Sequence, residues 1–266
     1  MLCIVFGQVD PIFRTPVPVW NPLQWDPTQF TYVLTHIVGP NGVFGPAILR
    51  TFLFVFVASC LCLLVAFPVA YYVARLSGKR KGLLLALLIA PFWISYMMRM
   101  LAWVDLLQSG GYANTVLSWF GISAVNWLGG KSVTVILGLV YGYIPYLILV
   151  LYAGLDRIDP ALIEAGRDLG LGRIRTFVSI TLPMSRQPIA TALLITVLPM
   201  LGDYYTNQLL SGAASTSMIG NLIQGQLGTP GLAGQGAVLS LLLLVVLLVP
   251  MIYYVISTNR TSQVAS

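Results

Sequence analysis

Residues 159–183 read DPALIEAGRDLGLGRIRTFVSITLP, six charges within a chain whose flanking runs, Ser132 to Leu155 and the stretch after Arg186, carry almost none. Asp159 is placed to cap a helix whose first residue is Pro160, where a missing N–H costs nothing. That helix is expected to run two to three turns to Leu169, with Leu162, Ala165 and Leu169 on one stripe and Glu164, Arg167 and Asp168 around the rest. Gly170 and Gly172 break it, and a second short helix from about Arg173 leads into Ile180 and Leu182 before Pro183 opens the next apolar run. A short amphipathic helix pinned between two apolar segments moves with them. Such a helix is built to transmit force.

The surroundings are those of a membrane protein. Hydrophobic residues make up 58% of the chain and charged residues 8%, and the mean hydropathy is +0.87, outside the ordinary soluble range. A spanning helix needs about 20 apolar residues to cross a hydrocarbon core of roughly 30 Å. Five candidates meet that requirement: Thr51 to Ala74, Gly82 to about Leu107, Ser132 to Leu155, from after Arg186 to roughly Asp203, and about Ala237 to Ser257. The expected fold class is therefore all-α, a polytopic helical bundle. Pro68, Pro91, Pro145 and Pro199 fall inside these spans, where kinks serve either gating or packing. Gly138 and Gly142 make a small-xxx-small pair on the third span, which permits close helix approach.

A net charge of +6 would fit nucleic acid, but its distribution argues for topology. Arg75, Lys79, Arg80 and Lys81 fill the first inter-span loop; Arg157, Arg167, Arg173, Arg175 and Arg186 fill the third; Arg260 follows the last span. The second loop ends with Lys131 alone, and the fourth, Tyr204 to Gly236, has no charge. The positive-inside rule puts the first and third loops and the C-terminus in the cytoplasm, and residues 1 to 45 outside unless another helix precedes them. Met1 to Val9 is apolar but too short to span, with neither a basic leader nor a cleavage site. The Pro- and Trp-rich stretch that follows, with Trp20 and Trp25 near the interface, suits either an ordered cap or a plain linker. Cys3, Cys60 and Cys62 form no disulfide pattern, and the last two face opposite sides of a helix as packed small hydrophobes.

Glu164, Ala165 and Gly166, then Gly170, then Ile180, Leu182 and Pro183 carry a spacing that resembles the EAA loop of ABC-importer membrane subunits, with Gly166 where the family usually has Ala. Pro91, Phe92 and Trp93 with Arg99, Ala102, Trp103, Gly111 and Asn114 look like the second-helix region of the spermidine/putrescine branch of these permeases. Leu201 to Tyr204 and Met218 to Asn221 look like the stretch after its penultimate span. The likeness covers most of residues 47 to 257 and implies a type I importer permease fold in a bacterial inner membrane. Family members usually carry one more N-terminal helix, here absent or reduced to Met1 to Val9. The resemblance divides the chain into an outer segment 1–45, a transmembrane permease domain 46–257 with its coupling loop at 156–186, and a cytoplasmic tail 258–266.

The resemblance further implies that Glu164, Ala165, Gly166, Gly170, Leu182 and Pro183 form the element that docks on a cytoplasmic ATPase. The implied partners are two ATP-binding cassette subunits, a second and homologous permease, and an extracytoplasmic substrate-binding protein. If the solute is a polyamine, its path needs carboxylates and aromatic faces at membrane depth. Asp203 with Tyr204 and Tyr205 is the first candidate and Asp105 with Trp103 the second; the alternative is that both lie at the outer interface, solvated or paired with Arg99. Arg99 suits a helix anchor better than a cation site, since it repels a cationic ligand. No catalytic residue, metal site or cofactor is expected, because His36 is the only histidine and no Walker motif occurs. A secondary transporter or channel is the competing class; it would usually show intramembrane carboxylates or inverted repeats, and neither is clear here.

Overall fold

The computed structural model describes residues 2–10, 12, 14–38, 42–76 and 78–264; Met1, Pro11, Phe13, Gly39 to Asn41, Ser77 and the last two residues of the expected tail lie outside them. The chain is all-α apart from one two-residue strand pair. Helix α1 (Leu2–Val5) is followed by β1 (Gln8–Val9) and β2 (Pro16–Val17), antiparallel with Gln8 opposite Val17. Helices α2 (Thr28–Val38), α3 (Gly45–Ala74), α4 (Lys79–Ile89), α5 (Tyr96–Leu107), α6 (Tyr112–Trp119) and α7 (Ser132–Leu155) come next. Short helices α8 (Pro160–Asp168), α9 (Arg173–Thr176) and α10 (Leu182–Met184) precede α11 (Arg186–Leu201), α12 (Tyr205–Leu210), α13 (Ile219–Gly228) and α14 (Ala233–Val264).

Among the described residues three helices are long and apolar enough to cross a membrane: Gly45–Ala74, Ser132–Leu155 and Ala233–Ile256. The second expected span, from Gly82 to Leu107, is broken: Lys79–Trp93 meets Tyr96–Trp119 at 90°. Pro91 sits at that break, in a 3-10 turn over Ala90–Trp93, and not inside a continuous helix. The cause is local, since a proline clashes with the preceding turn and Ile94 then extends to φ −99° and ψ 131°. Similarly α11 alone is too short to span, and Arg173–Met184 joins it at 60° across Ser185. Counting each bent pair once gives the five expected spans. Pro68, Pro145 and Pro199 do lie within helices, as does Pro250.

The chain divides into two compact units. One comprises Met1–Phe54, Leu107–Val135 and Leu201–Ser266. Its core gathers Val5, Val33 and Phe44 against Ala237, Val238 and Leu239 of α14. Phe6 stacks on Trp25 with centroids 4.9 Å apart, while the Trp25 indole donates to the Val19 carbonyl at 3.0 Å. Asp26 accepts from the Thr28 amide at 3.0 Å and from its hydroxyl, and these bonds hold its carboxyl below the usual range. The N-terminal segment is thus a packed element of the unit, and of the two tryptophans only Trp20 stays exposed. Asn114, almost wholly buried, organises residues 108–127: its amide donates to the carbonyls of Gln108, Ser109 and Val125, and its oxygen accepts from the Val125 amide and the Trp127 indole.

The other unit comprises Val55–Leu106 and Ile136–Met200. A Cβ on Gly142 would stand 2.6 Å from the Tyr96 ring, so the small residue expected to admit a helix admits an aromatic side chain. Gly154 is filled in the same way by Pro188. Phe177 lies edge-on to Phe67 and Tyr71 at 5.7 and 5.9 Å, which ties the turns before α11 to α3. Cys62 is buried as a packed small hydrophobe, whereas Cys60 is exposed and is not packed within the chain.

Candidate functional site

Helix α8 is defined at both ends by the residues that predict it. Asp159 accepts from the Ala161 amide at 2.9 Å, with Pro160 as the first helical residue. At the far end Gly170 turns left-handed, φ +87°, and two bonds close the helix: Gly170 N–H to Arg167 at 2.9 Å and Leu171 N–H to Gly166 at 3.1 Å. This is a Schellman cap, for which glycine is the favoured residue. The Thr176 hydroxyl then reaches back to the carbonyls of Leu171 at 3.3 Å and Gly172 at 3.1 Å. One turn of π-helix, Phe177–Thr181, follows and delivers Ile180 toward α8. Such single-turn bulges occur often at functional sites.

The burial pattern corrects the expected stripe. Ile163 and Gly166 are the buried positions of α8, whereas Leu162 and Leu169 are 45% and 85% exposed. Gly166 is more than a weakened helix position: a Cβ there would stand 2.4 Å from Ile180 Cδ1, so the glycine gives Ile180 its seat. Glu164, Ala165, Gly170, Leu182 and Pro183 are all exposed. Ile174, 80% exposed, and the guanidinium-bearing Arg173 and Arg175 extend the same outward-facing stretch. The unit therefore presents an apolar and charged surface on a rigidly capped frame. Lys81 pairs with Asp156 at 2.6 Å beside the entry to this loop, the one ion pair among the described residues. Asp105 is thus not paired with Arg99.

The proposed path residues divide between the units. Trp103 is half-buried on α5, its ring 5.2 Å from Tyr141, and Asp105 is exposed. On the same helix face Tyr96 lies 5.7 Å from Tyr143 and beneath the Arg99 guanidinium, while Phe92 meets Tyr146 at 4.2 Å. Arg99 is buried at 5% exposure, with its Nε lacking a hydrogen-bond partner.

In the other unit Asp203 is 6% exposed, and its carboxylate accepts from the Thr206 amide at 3.0 Å and the Thr206 hydroxyl at 2.6 Å. Both oxygens are thus engaged in the turn that starts α12. Tyr204 and Tyr205 stack at 4.1 Å, and a hydrogen bond in which the Tyr204 phenol donates to Tyr205 raises that phenol above its ordinary value.

Around Asp203 the stretches 201–204 and 218–221 close into one knot. The Asn221 oxygen accepts from the Met218 amide at 3.1 Å and from the Asn207 side chain at 3.0 Å, and its amide donates to the Tyr204 carbonyl at 3.0 Å. A Cβ on Gly220 would stand 2.7 Å from the carbonyl oxygens of Gly202 and Asp203, so the backbones touch. Thr51 caps the first amide of α13, Ile219 N–H, at 2.8 Å, and Arg50 donates to the carbonyls of Ala214 and Ser217 at 2.9 and 3.2 Å. Sequence reasoning missed Arg50, Thr51, Thr206 and Asn207. The available signal was modest: polar residues at the mouth of an apolar span are expensive unless partnered.

Fold and site together describe a polytopic membrane subunit with a capped, outward-facing helix between two spans. Residues 66–263 match the family described as the binding-protein-dependent transport system inner membrane component, and the chain belongs to that family. It is accordingly a multi-pass inner-membrane protein. It is 36% identical over 172 residues to the spermidine/putrescine transport system permease protein PotB of Escherichia coli, covering 64% of this chain and 62% of that protein. Another relative, the inner membrane ABC transporter permease protein YdcU of E. coli, is 31% identical over 208 residues, 72% of this chain and 66% of its own length. The chain spans about three fifths of the PotB relatives it matches. Among solved structures, a bacterial alginate ABC transporter in complex with an alginate pentasaccharide-bound periplasmic protein matches with a TM-score of 0.70 at 21% identity, covering 87% of this chain and 83% of its own. The MetNI methionine ABC transporter in an inward-facing conformation matches at 0.54 and 17% identity, over 84% and 96%. The two likenesses establish the fold, that of a type I importer permease.

Proposed function

We propose that this chain is the membrane-spanning permease subunit of an ATP-driven, binding-protein-dependent importer, and that α8 with its flanking turns docks on the ATPase. The observation that carries this reading is a helix capped at both ends whose Glu164, Ala165, Leu162 and Leu169 all face outward. A frame capped at both ends resists deformation, so a push on those side chains is passed on to the spans that α8 joins. The chain itself is non-catalytic, and the energy comes from ATP hydrolysed by two partner subunits. A second, homologous permease completes the path, and an extracytoplasmic binding protein delivers the solute.

The basic loops at 75–81 and 157–186 put α8 on the cytoplasmic side, and residues 1–45 and 204–236 on the other. Cysteines placed at 78–81 or 158–175 are then labelled only from the cytoplasm, and cysteines at 211–228 only from outside. Reversed labelling overturns the docking reading.

The names of the PotB relatives support a polyamine or related small polar cation as the solute. The stacked Tyr204 and Tyr205 beside the Asp203 charge, and Trp103 near Asp105, are the groups proposed to meet it. Aromatic faces attract a dehydrated cation by roughly 0.5–2 kcal/mol each. Purification of the tagged chain from its native membranes tests the class: recovery of an ATP-binding cassette subunit supports it, and a chain that transports without one is a secondary transporter or channel.

A further inference from the structure

Within the unit that holds the N-terminal segment, a cleft of about 190 Å³ opens between α2, α3, α13 and α14. Its floor is buried: Thr51, Leu201, Ile219 and Leu239 are at most 6% exposed. Its mouth is apolar and open, with Leu34, Phe52 and Val246 exposed at 38, 43 and 44%. The only polar side chain in the lining is Thr51, and its hydroxyl is used twice, donating to the Ala47 carbonyl at 2.7 Å and accepting from Ile219 N–H at 2.8 Å. A water molecule needs two to four polar partners to settle. The cleft offers none, so its contents are apolar.

Its depth says which apolar group is at hand. The lining stretch Leu239 to Val246 lies six to 13 positions into a span that starts at Ala233, or about 9–20 Å along the helix axis. The hydrocarbon core is about 30 Å thick, so the side of the mouth formed by Phe52, Leu243 and Val246 opens where acyl chains are the surrounding solvent, with Leu34 of the outer segment at its rim. The span window of α14 is only 6% buried within the molecule, consistent with a helix that faces lipid over most of its surface.

We infer that this cleft is an intramembrane lipid site that takes one acyl chain of a membrane phospholipid. The chain lies along Phe52 and Leu243 and rests on Thr51 and Ile219, the two residues whose bond caps α13. An occupied cleft therefore supports the 201–221 knot from the membrane side. The inference uses membrane placement alone and is independent of the transported solute.

The full chain, placed in phosphatidylethanolamine and phosphatidylglycerol vesicles doped with a phosphatidylcholine bearing a mid-chain diazirine, is irradiated and its adducts are mapped by mass spectrometry. Label is expected to concentrate on Ile48, Phe52 and Leu243 above the level at Leu64 and Val249, which are exposed and apolar but lie outside this cleft. Leu243→Trp fills the cleft and removes the excess label; Leu243→Phe is the milder version if the first variant misfolds. Even labelling of all five positions means annular lipid only and overturns the site. A photoreactive side chain at position 243 that captures polypeptide in preference to lipid, whether another subunit or another copy, overturns it equally.

Discussion

The stretches 159–183 and 201–221 are built from the same materials, short helices broken by glycine with a carboxylate near the start, yet they direct their side chains oppositely. In the first, caps at the two ends, the Asp159 side chain and the Gly170 backbone turn, carry the structure, and Glu164, Leu162, Leu169 and Ile174 are left facing outward. In the second, Asp203, Thr206 and Asn207 are buried, and side chains carry the structure by bonding to one another and to backbone. The difference is one of purpose. A surface meant to meet a partner keeps its own fold-holding contacts at the helix ends and leaves its central outward side chains unused, whereas a brace inside a unit uses them.

The contrast predicts a graded series. Asn221→Ala in the knot removes three hydrogen bonds and strands a buried partner at Asn207; the expected loss is about 2–4 kcal/mol, read as a lower midpoint of thermal unfolding in detergent. An unchanged midpoint would make the knot incidental. Gly220→Ala places a methyl against two carbonyl oxygens that have no flexible end to move, with an expected cost of about 1–3 kcal/mol. Asp203→Asn keeps one acceptor for Thr206 but loses the charge. Its midpoint should fall by about 1 kcal/mol equivalent, and uptake of a polyamine at subsaturating concentration should fall about tenfold, as a loss near 1.4 kcal/mol of charge attraction requires. Wild-type uptake with the lowered midpoint would leave Asp203 a brace and nothing more. Gly166→Ala in α8 is the mildest: the methyl clashes with the movable tip of Ile180 and makes ordinary contact with Leu171 and Thr176, and the helix gains up to about 1 kcal/mol of propensity, so the midpoint should barely move.

That last pair shows how far the residues alone carry a reader. Asp159, Pro160 and Gly170 announce the ends of α8 because capping is a matter of neighbouring atoms, and the structure places the helix between those marks. Ser132 to Leu155 is equally legible, since charges at Lys131 and Asp156 bound it. The seat that Gly166 makes for Ile180 is invisible in sequence, because it depends on how the Gly170 and Gly172 turns and the π-helical turn fold the chain back. The same holds for Thr51 and Asn221. Asn221 sits in a stretch worth quoting, but its partners at 207 and 204, and the cap from a threonine 168 positions away, arise only on packing. The break after Pro91 was half legible: proline signals a disruption, but whether a span bends or snaps depends on what surrounds the freed carbonyls.

The most direct test of the account is Glu164→Lys in the reconstituted importer, measured as substrate-stimulated ATP hydrolysis. Glu164 is exposed and makes no hydrogen bond or ion pair, so the variant should insert, fold and show the wild-type unfolding midpoint. With the charge reversed at the docking surface, stimulated hydrolysis and uptake should both be lost while the purified ATPase keeps its basal rate. Stimulated hydrolysis at the normal rate in a correctly inserted variant would contradict the account, because the outward face of α8 would then have no part in coupling.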